Sequence, residues 1–435
     1  MRWLALLLVL TSLPASPRED AGGNTDVVPL QPLIDATPSG GTLRLNPGRF
    51  SGPAVITRPM TLDGQGHATL DGQGRGTVLT VRADGVTVTR MHLTRSGASH
   101  DAMDAALEVE SSGNSITHNV IDAVLFGVHV KGGDRNVVCG NRISSLEEEA
   151  GMRGDAVRVW NGRFNRIEGN DISHARDVGL ANAPDNVVRG NVVRGGRMGV
   201  NLVFSPRVTI EGNWLDGNLA GVAVMYSNDV VLRGNRVQHS MSVSGSGLAF
   251  KESSQVRVEG NTVLHCAVGA KTNAPTDQAA IVSFFGNRFA HNVAAMDFYG
   301  ENGGHVLHGN RFEKNLSQVT VSAPMSARGH DWQGNSWDDY EGFDRDGDGV
   351  GDVPYEKWAF SDRIWMEEPR ATFFRNSPAL ELLDFLERLA PFASPELTLR
   401  DSRPVVGELP AGGELSRPPQ VPSCPESVAT QGNSF

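Results

Sequence analysis

The sharpest chemical pattern lies near the C-terminal end of the chain. Asp344-Arg345-Asp346-Gly347-Asp348-Gly349-Val350-Gly351-Asp352 offers oxygen at relative positions 1, 3, 5, 7 and 9, the seventh through the Val350 carbonyl, with glycine at position 6. A loop that wraps a calcium ion needs this spacing, because hard cations take many oxygen ligands from a chain that must turn sharply. Position 12, where a bidentate glutamate completes an EF-hand, is Tyr355. The expectation is a calcium ion bound for stability by Asp344, Asp346, Asp348, Val350 and Asp352.

A second chemistry needs soft ligands. Twelve histidines and eleven methionines are spread through the chain, and imidazole with thioether suits Cu(I). His129, His174 and Met225 are the copper candidates, with His239, Met241 and His265 recurring further on. Carbohydrate chemistry is the alternative. A lyase needs a base such as Lys251 or Lys271 near a cation held by acidic groups. A hydrolase needs two carboxylates flanking one bond, yet Asn24-Thr25-Asp26 lies ahead of the repeats and Asp338-Asp339 at their end, and neither Gly-His-Gly nor Asp-Pro-His-Asp occurs. Arg153-Gly154-Asp155 and Arg176-Asp177 read as turn residues whose arginines cap carbonyls or pair with neighbours.

The elements that position these groups follow from a repeat. Gly-Asn recurs at Asn141, Asn170, Asn191, Asn213, Asn235, Asn261, Asn287, Asn310 and Asn335, with His118-Asn119 as a degenerate first copy, at intervals of 22, 29, 21, 22, 22, 26, 26, 23 and 25 residues. Short β-branched runs such as Val208-Thr209-Ile210 fill each interval, and helical periodicity is missing. The expected fold is all-β, a right-handed parallel β-helix of three short strands and three turns per coil. Coils stack about 4.8 Å apart, so equivalent residues form columns. Asparagines in one column can pass amide hydrogen bonds from coil to coil while tolerating a left-handed turn, which makes that column structural. The residue two places after the turn glycine points outward, giving a column with His129, Asn201, Ala223 and Lys271.

The expected organisation is a signal peptide over 1–20, a β-helix over 21–337, an acidic loop with a helix over 338–400, and a proline-rich tail over 401–435. Residues from Leu30 to Ala36 would cap the open edge of the first coil. The helix is marked by Asn376-Ser377-Pro378 and by Leu382, Leu383, Leu386 and Leu389. The apolar run Trp3 to Leu10 after Met1-Arg2 is far shorter than the ~20 residues of a membrane span and reads as an export signal, with the periplasm as the simplest address. A net charge of −11 over 435 residues excludes nucleic acid as the main partner. The three cysteines, Cys139, Cys266 and Cys424, include no close pair, so no disulfide framework is expected, and Cys139 and Cys266 read as small buried hydrophobes.

The order of these pieces resembles the NosD family, periplasmic β-helix proteins required for maturation of nitrous oxide reductase. Leu43-Arg44-Leu45-Asn46-Pro47-Gly48, Gly221-Val222-Ala223-Val224-Met225-Tyr226-Ser227, Gly334-Asn335-Ser336-Trp337-Asp338-Asp339-Tyr340, Asn376-Ser377-Pro378-Ala379 and Asp401-Ser402-Arg403-Pro404 carry the resemblance. It implies a non-enzymatic role beside the membrane subunit of an ABC transporter and a copper chaperone, supplying the copper sites of the reductase, with copper as the transient cargo. The C-terminal elements would dock on the membrane subunit. One coil departs from the family: where it shows Gly-x-His-aromatic-Met, this chain reads Gly199-Val200-Asn201-Leu202-Val203.

Overall fold

The computed structural model describes residues 27–146, 149, 151–243, 245–273, 281–300, 303–321, 326–359, 382, 386, 396–407, 415–419 and 424. It is a parallel β-solenoid of about 13 turns. Each coil contributes two short strands to a 25-stranded sheet and one to a 12-stranded sheet. The register follows the repeat: Val188 pairs with Ile210, Val193 with Leu215, and Leu202 with Val224. These residues are all buried, because alternate positions of a strand face the lumen and β-branched or leucine side chains fill it. Toward the C-terminal end rings replace aliphatic groups, and Phe289, Phe312, Trp337 and Tyr355 stack at 5.6, 4.2 and 4.3 Å.

The Asn column is the expected ladder, with one change in its turn. The left-handed residue is the glycine before each asparagine, as at Gly190, Gly212 and Gly234 (φ 60, 62 and 59°), and His118 takes the same conformation in the degenerate copy. The asparagine itself points inward and is buried. Asn213 shows the wiring: its main-chain N–H and its Nδ2 both donate to Asn235 Oδ1, at 3.0 and 2.9 Å, and Nδ2 also reaches the Val188 carbonyl. The relay onto side-chain oxygens therefore runs toward the C-terminus, each rung donating to the Oδ1 of the next, and the last rung needs an acceptor of its own. Asp401 supplies it: Asn335 N and Nδ2 and Trp337 Nε1 all donate to Asp401 Oδ2, at 3.1, 2.9 and 3.2 Å.

Both ends of the solenoid are closed. At the start, the helix Gln31–Ala36 lays Leu30 and Ile34 over the first coil, and the Gln31 amide pairs with the edge strand through Val55 N and O. At the finish, Tyr355–Ala359 pairs antiparallel with Glu396–Asp401, and Val405 bridges Ser336 and Val350. Residues 1–20 lie outside the described residues, and of the predicted C-terminal helix Leu382 and Leu386 alone are described, both helical and exposed. No helix among the described residues is long and apolar enough to cross a membrane.

The cysteines overturn an expectation. Cys139 and Cys424 form a disulfide across a sequence separation of 285, while Cys266 is a buried free thiol. Sequence spacing misses the bond because stacking, not proximity along the chain, brings the two together. Leaving the last coil at Arg403, the tail passes Arg236, whose Nη1 donates to the Leu415 carbonyl at 3.2 Å, and reaches Cys139 eight rungs back. At least at these points the tail is strapped along the solenoid, and such a bond is stable in an oxidising compartment.

Candidate functional site

Two outward-facing columns carry groups whose hydrogen-bonding capacity the fold does not use. The first runs along the outer face of the 12-stranded sheet, in the register Glu108, His129, Arg158, Gly179, Asn201, Ala223, Ala249, Lys271, Asp297. His129 is 3 % exposed, and neither ring nitrogen has a hydrogen-bond partner among the described residues. Its Nδ1 lies 4.0 Å from Glu108 Oε1. Burial, helped by the charges of Arg158 and Lys131, lowers its pKa to about 4, so the ring is neutral at neutral pH, the form that binds metals. Arg158 Nε and Asn201 Oδ1, in the same column, are likewise buried and unpartnered.

Gly179 interrupts this column for a steric reason. A β-carbon there would meet Asp155 Oδ2 at 3.1 Å. The buried Asp155 carboxylate accepts from Arg158 Nη1 at 3.0 Å and Arg176 Nε at 2.9 Å, and its pKa is raised by burial and by Asp177 nearby. Asp177 in turn pairs with Arg197 and accepts from Asn201 Nδ2, and Arg153 donates to the Gly195 carbonyl. The arginines of the two short motifs thus cap and pair, as their sequence suggests.

The predicted copper ligands do not meet. Met225 stands in the adjacent outward column with Lys131, Trp160, Val203 and Lys251, four strands beyond His129, or about 19 Å at the usual strand spacing. His174 belongs to a turn column of the 25-stranded sheet. Main-chain hydrogen bonds link that column in the order His174, Gly195, Gly217, His239, His265, His291 and Lys314. In its second half three imidazoles stack: His239 on His265 with centroids 5.5 Å apart and planes 17° from parallel, and His265 on His291 at 5.0 Å and 10°. All three are exposed. His239 Nδ1 lies 2.7 Å from Asp216 Oδ1, and the pKa of His265 is lowered by partial burial and by the flanking histidines. The sequence reading took His239 and His265 but missed His291. Its signal was present, since each of the three lies four residues after a ladder asparagine.

Among the described residues, Asp344, Asp346 and Asp348 are the one group of three candidate ligands whose oxygens lie within 4.8 Å of one another. Asp344 takes Gly347 N on one oxygen and Gly349 N on the other, and these bonds lower its pKa. Asp352 accepts from Arg345 N. Tyr355 supplies no twelfth-position ligand, because its ring stacks on Trp337 and its hydroxyl bonds Asp339. The predicted bases are occupied. Lys251 sits over the Tyr226 ring at 5.7 Å, and Lys271 pairs with Asp297 at 3.4 Å and covers the Tyr299 ring. Asp338 is likewise engaged, accepting from Lys314 N and Gln318 Nε2.

Comparison with known proteins adds to this geometry. A family model described as "NosD: Periplasmic copper-binding protein (NosD)" matches residues 144–342. A protein of Pseudomonas aeruginosa named "Probable ABC transporter binding protein NosD" is 31 % identical over 422 residues, 93 % of this chain and 94 % of its own length. A protein of the same name from Stutzerimonas stutzeri is 35 % identical over 105 residues, 23 % of each chain. Among solved structures, a family 28 exopolygalacturonase of Yersinia enterocolitica has a TM-score of 0.53 over 68 % of this chain and 75 % of its own, at 10 % identity, a likeness of fold alone.

Proposed function

The chain belongs to the NosD family, and from that premise we propose that it is the exported solenoid of a copper-site maturation machine for nitrous oxide reductase, without catalysis of its own. The observation that carries this reading is the match along 93 % of the chain to a relative named as an ABC transporter binding protein. The protein works in the periplasm, delivered there by the signal over residues 1–20, with the membrane subunit of an ABC transporter, a copper chaperone and the reductase as partners. Copper is cargo. The neutral, unpartnered His129 and the outward Met225 stand in the columns of Asn201 and Val203, the positions where the family's soft ligands are absent here. The loop from Asp344 to Asp352 holds a structural calcium ion.

Deletion of the gene in its native host, complemented by the wild-type chain, tests the reading. The expected result is a reductase deficient in copper and activity. A fully metallated, active reductase overturns it, and turnover of acidic polysaccharides, with Lys251 and Lys271 as first candidates for the base, becomes the reading to pursue.

A further inference from the structure

The turn column that carries His239, His265 and His291 places imidazoles where the fold does not require them. Elsewhere the same column holds a single histidine, His174, with glycine at Gly195 and Gly217 and lysine at Lys314, so the turn accepts other residues and has no need of imidazole. Three consecutive coils nevertheless place one there, all exposed, with rings 5.5 and 5.0 Å apart. The column's main-chain N–H groups already donate to the next coil, which leaves the ring nitrogens free of any role in holding the coils together. The exception is His239 Nδ1, 2.7 Å from Asp216. A carboxylate on one ring nitrogen is the usual partner of a metal-bound histidine, because it fixes the tautomer and turns the other nitrogen toward the ion.

We propose that His239, His265 and His291 form a surface copper site, in which an ion is held between the ring nitrogens of neighbouring coils. A metal–nitrogen bond of about 2 Å allows two ligating nitrogens to stand at most about 4 Å apart. Rings already centred 5.0 to 5.5 Å apart reach this by tilting their outer edges together, a movement that exposed side chains make without disturbing the core. Met241, two residues after His239 in sequence, is an exposed thioether (56 %). Imidazole serves several late first-row metals, and the choice of copper among them rests on the proposed function. The site lies on a turn of the 25-stranded sheet, apart from the 12-stranded sheet that carries His129 and Met225.

The test is an anaerobic titration of the full mature chain with Cu(I) against a competing chromophoric chelator, with a parallel titration in Zn(II). Wild type, His265→Gln and His129→Gln are compared, with circular dichroism confirming that each is folded. The expected result is copper binding weakened at least tenfold by His265→Gln, with the ring resonances of all three histidines shifting on metal addition in the wild type. Copper binding that is unchanged in His265→Gln and lost in His129→Gln overturns the ladder site and leaves the proposed function standing. Zinc binding that depends on His265, with no copper binding by any form, overturns the choice of copper and counts against the proposed function as well.

Discussion

Two stacks of histidine stand among the described residues of this solenoid, in opposite surroundings. His239, His265 and His291 lie on an outer turn in water. His305 and His330 lie inside, 2 and 5 % exposed, with rings 5.0 Å apart and within 2° of parallel. The inner pair is wired like an asparagine ladder: Val282 N donates to His305 Nδ1 and His305 N to His330 Nδ1, both at 3.2 Å. Its column reads Asn114, Asn136, Asn165 and Asn186, then Val208, Val230, Val256 and Val282, then the two histidines. In the first rungs the asparagine Oδ1 takes the same main-chain N–H that Nδ1 takes later. Stacking therefore does not mark function. In the inner column the Nδ1 atoms are spent on the backbone, and His330 Nε2, without a hydrogen-bond partner among the described residues, is sealed in the lumen; a column is structural where its polar atoms are spent or sealed in this way, and available for chemistry where they are left over on the outer face.

The largest effect that sharpens this contrast comes from emptying one sealed rung. Asn235→Ala removes the acceptor of Asn213 N and Nδ2 and the donor to the Ile210 carbonyl. Each buried group left unpaired costs about 1–3 kcal/mol, so the loss should be about 5 kcal/mol, read as a lowered urea midpoint. His265→Ala in the exposed column should cost under about 0.5 kcal/mol. Equal losses would mean that the exposed rings hold coils together and that the distinction drawn here is false.

The same distinction explains what was legible in the sequence. Ladder asparagines repeat at coil spacing, so period alone announces the fold, while the capping helix over Gln31–Ala36 shows separately as a short amphipathic piece ahead of the first coil. Asp401 closes the ladder from 66 residues beyond Asn335, and no local pattern marks an aspartate as the one buried acceptor. Cys424 is further still from Cys139. Asp155 reads as a turn residue, whereas it lies buried just ahead of the strand Val157–Trp160, and its carboxylate occupies the space that a side chain at Gly179 would need. Spacing reveals what repeats. Contacts made once, across coils, appear only after stacking.

A smaller effect separates the two histidine stacks by pH. Burial, with His305 beside it, lowers the pKa of His330 to about 3, whereas in the unfolded chain it titrates near 6.5. Below about pH 6.5 the unfolded chain takes up a proton that the folded chain refuses, so this contribution is complete above that pH and is lost as pH falls toward 3. Between pH 7 and 4.5 the loss should be about 3 kcal/mol. His330→Asn, which places the ladder's own residue in the column, should flatten the dependence by most of that amount. His129, with a pKa of about 4, leaves its own share in the variant. His265→Asn should change the curve much less, since the ring is exposed and only partial burial and its histidine neighbours lower its pKa. A slope insensitive to His330 would mean that water reaches the inner pair.

The smallest effect concerns the acidic loop, which combines the two kinds of column in one turn. Asp344 is spent, because both oxygens accept main-chain N–H groups. Asp346 and Asp348 are exposed, and each takes a single N–H from two residues on, that to Asp346 at 3.4 Å. By the rule drawn from the histidines, spare capacity lies with Asp346 and Asp348, and calcium should draw on it. At ten times its dissociation constant an ion adds about 1.4 kcal/mol to folding, a rise in melting temperature of about 1–2 °C for a chain of this size. Wild type should show this rise in calcium and less in magnesium, whose small, rigid octahedral shell suits such a loop poorly. Asp348→Asn should abolish the rise with little change in the calcium-free protein, since the side-chain carbonyl still accepts from Val350 N. A loop equally stable with and without calcium would place all its carboxylates in the sealed class, held by the main chain alone.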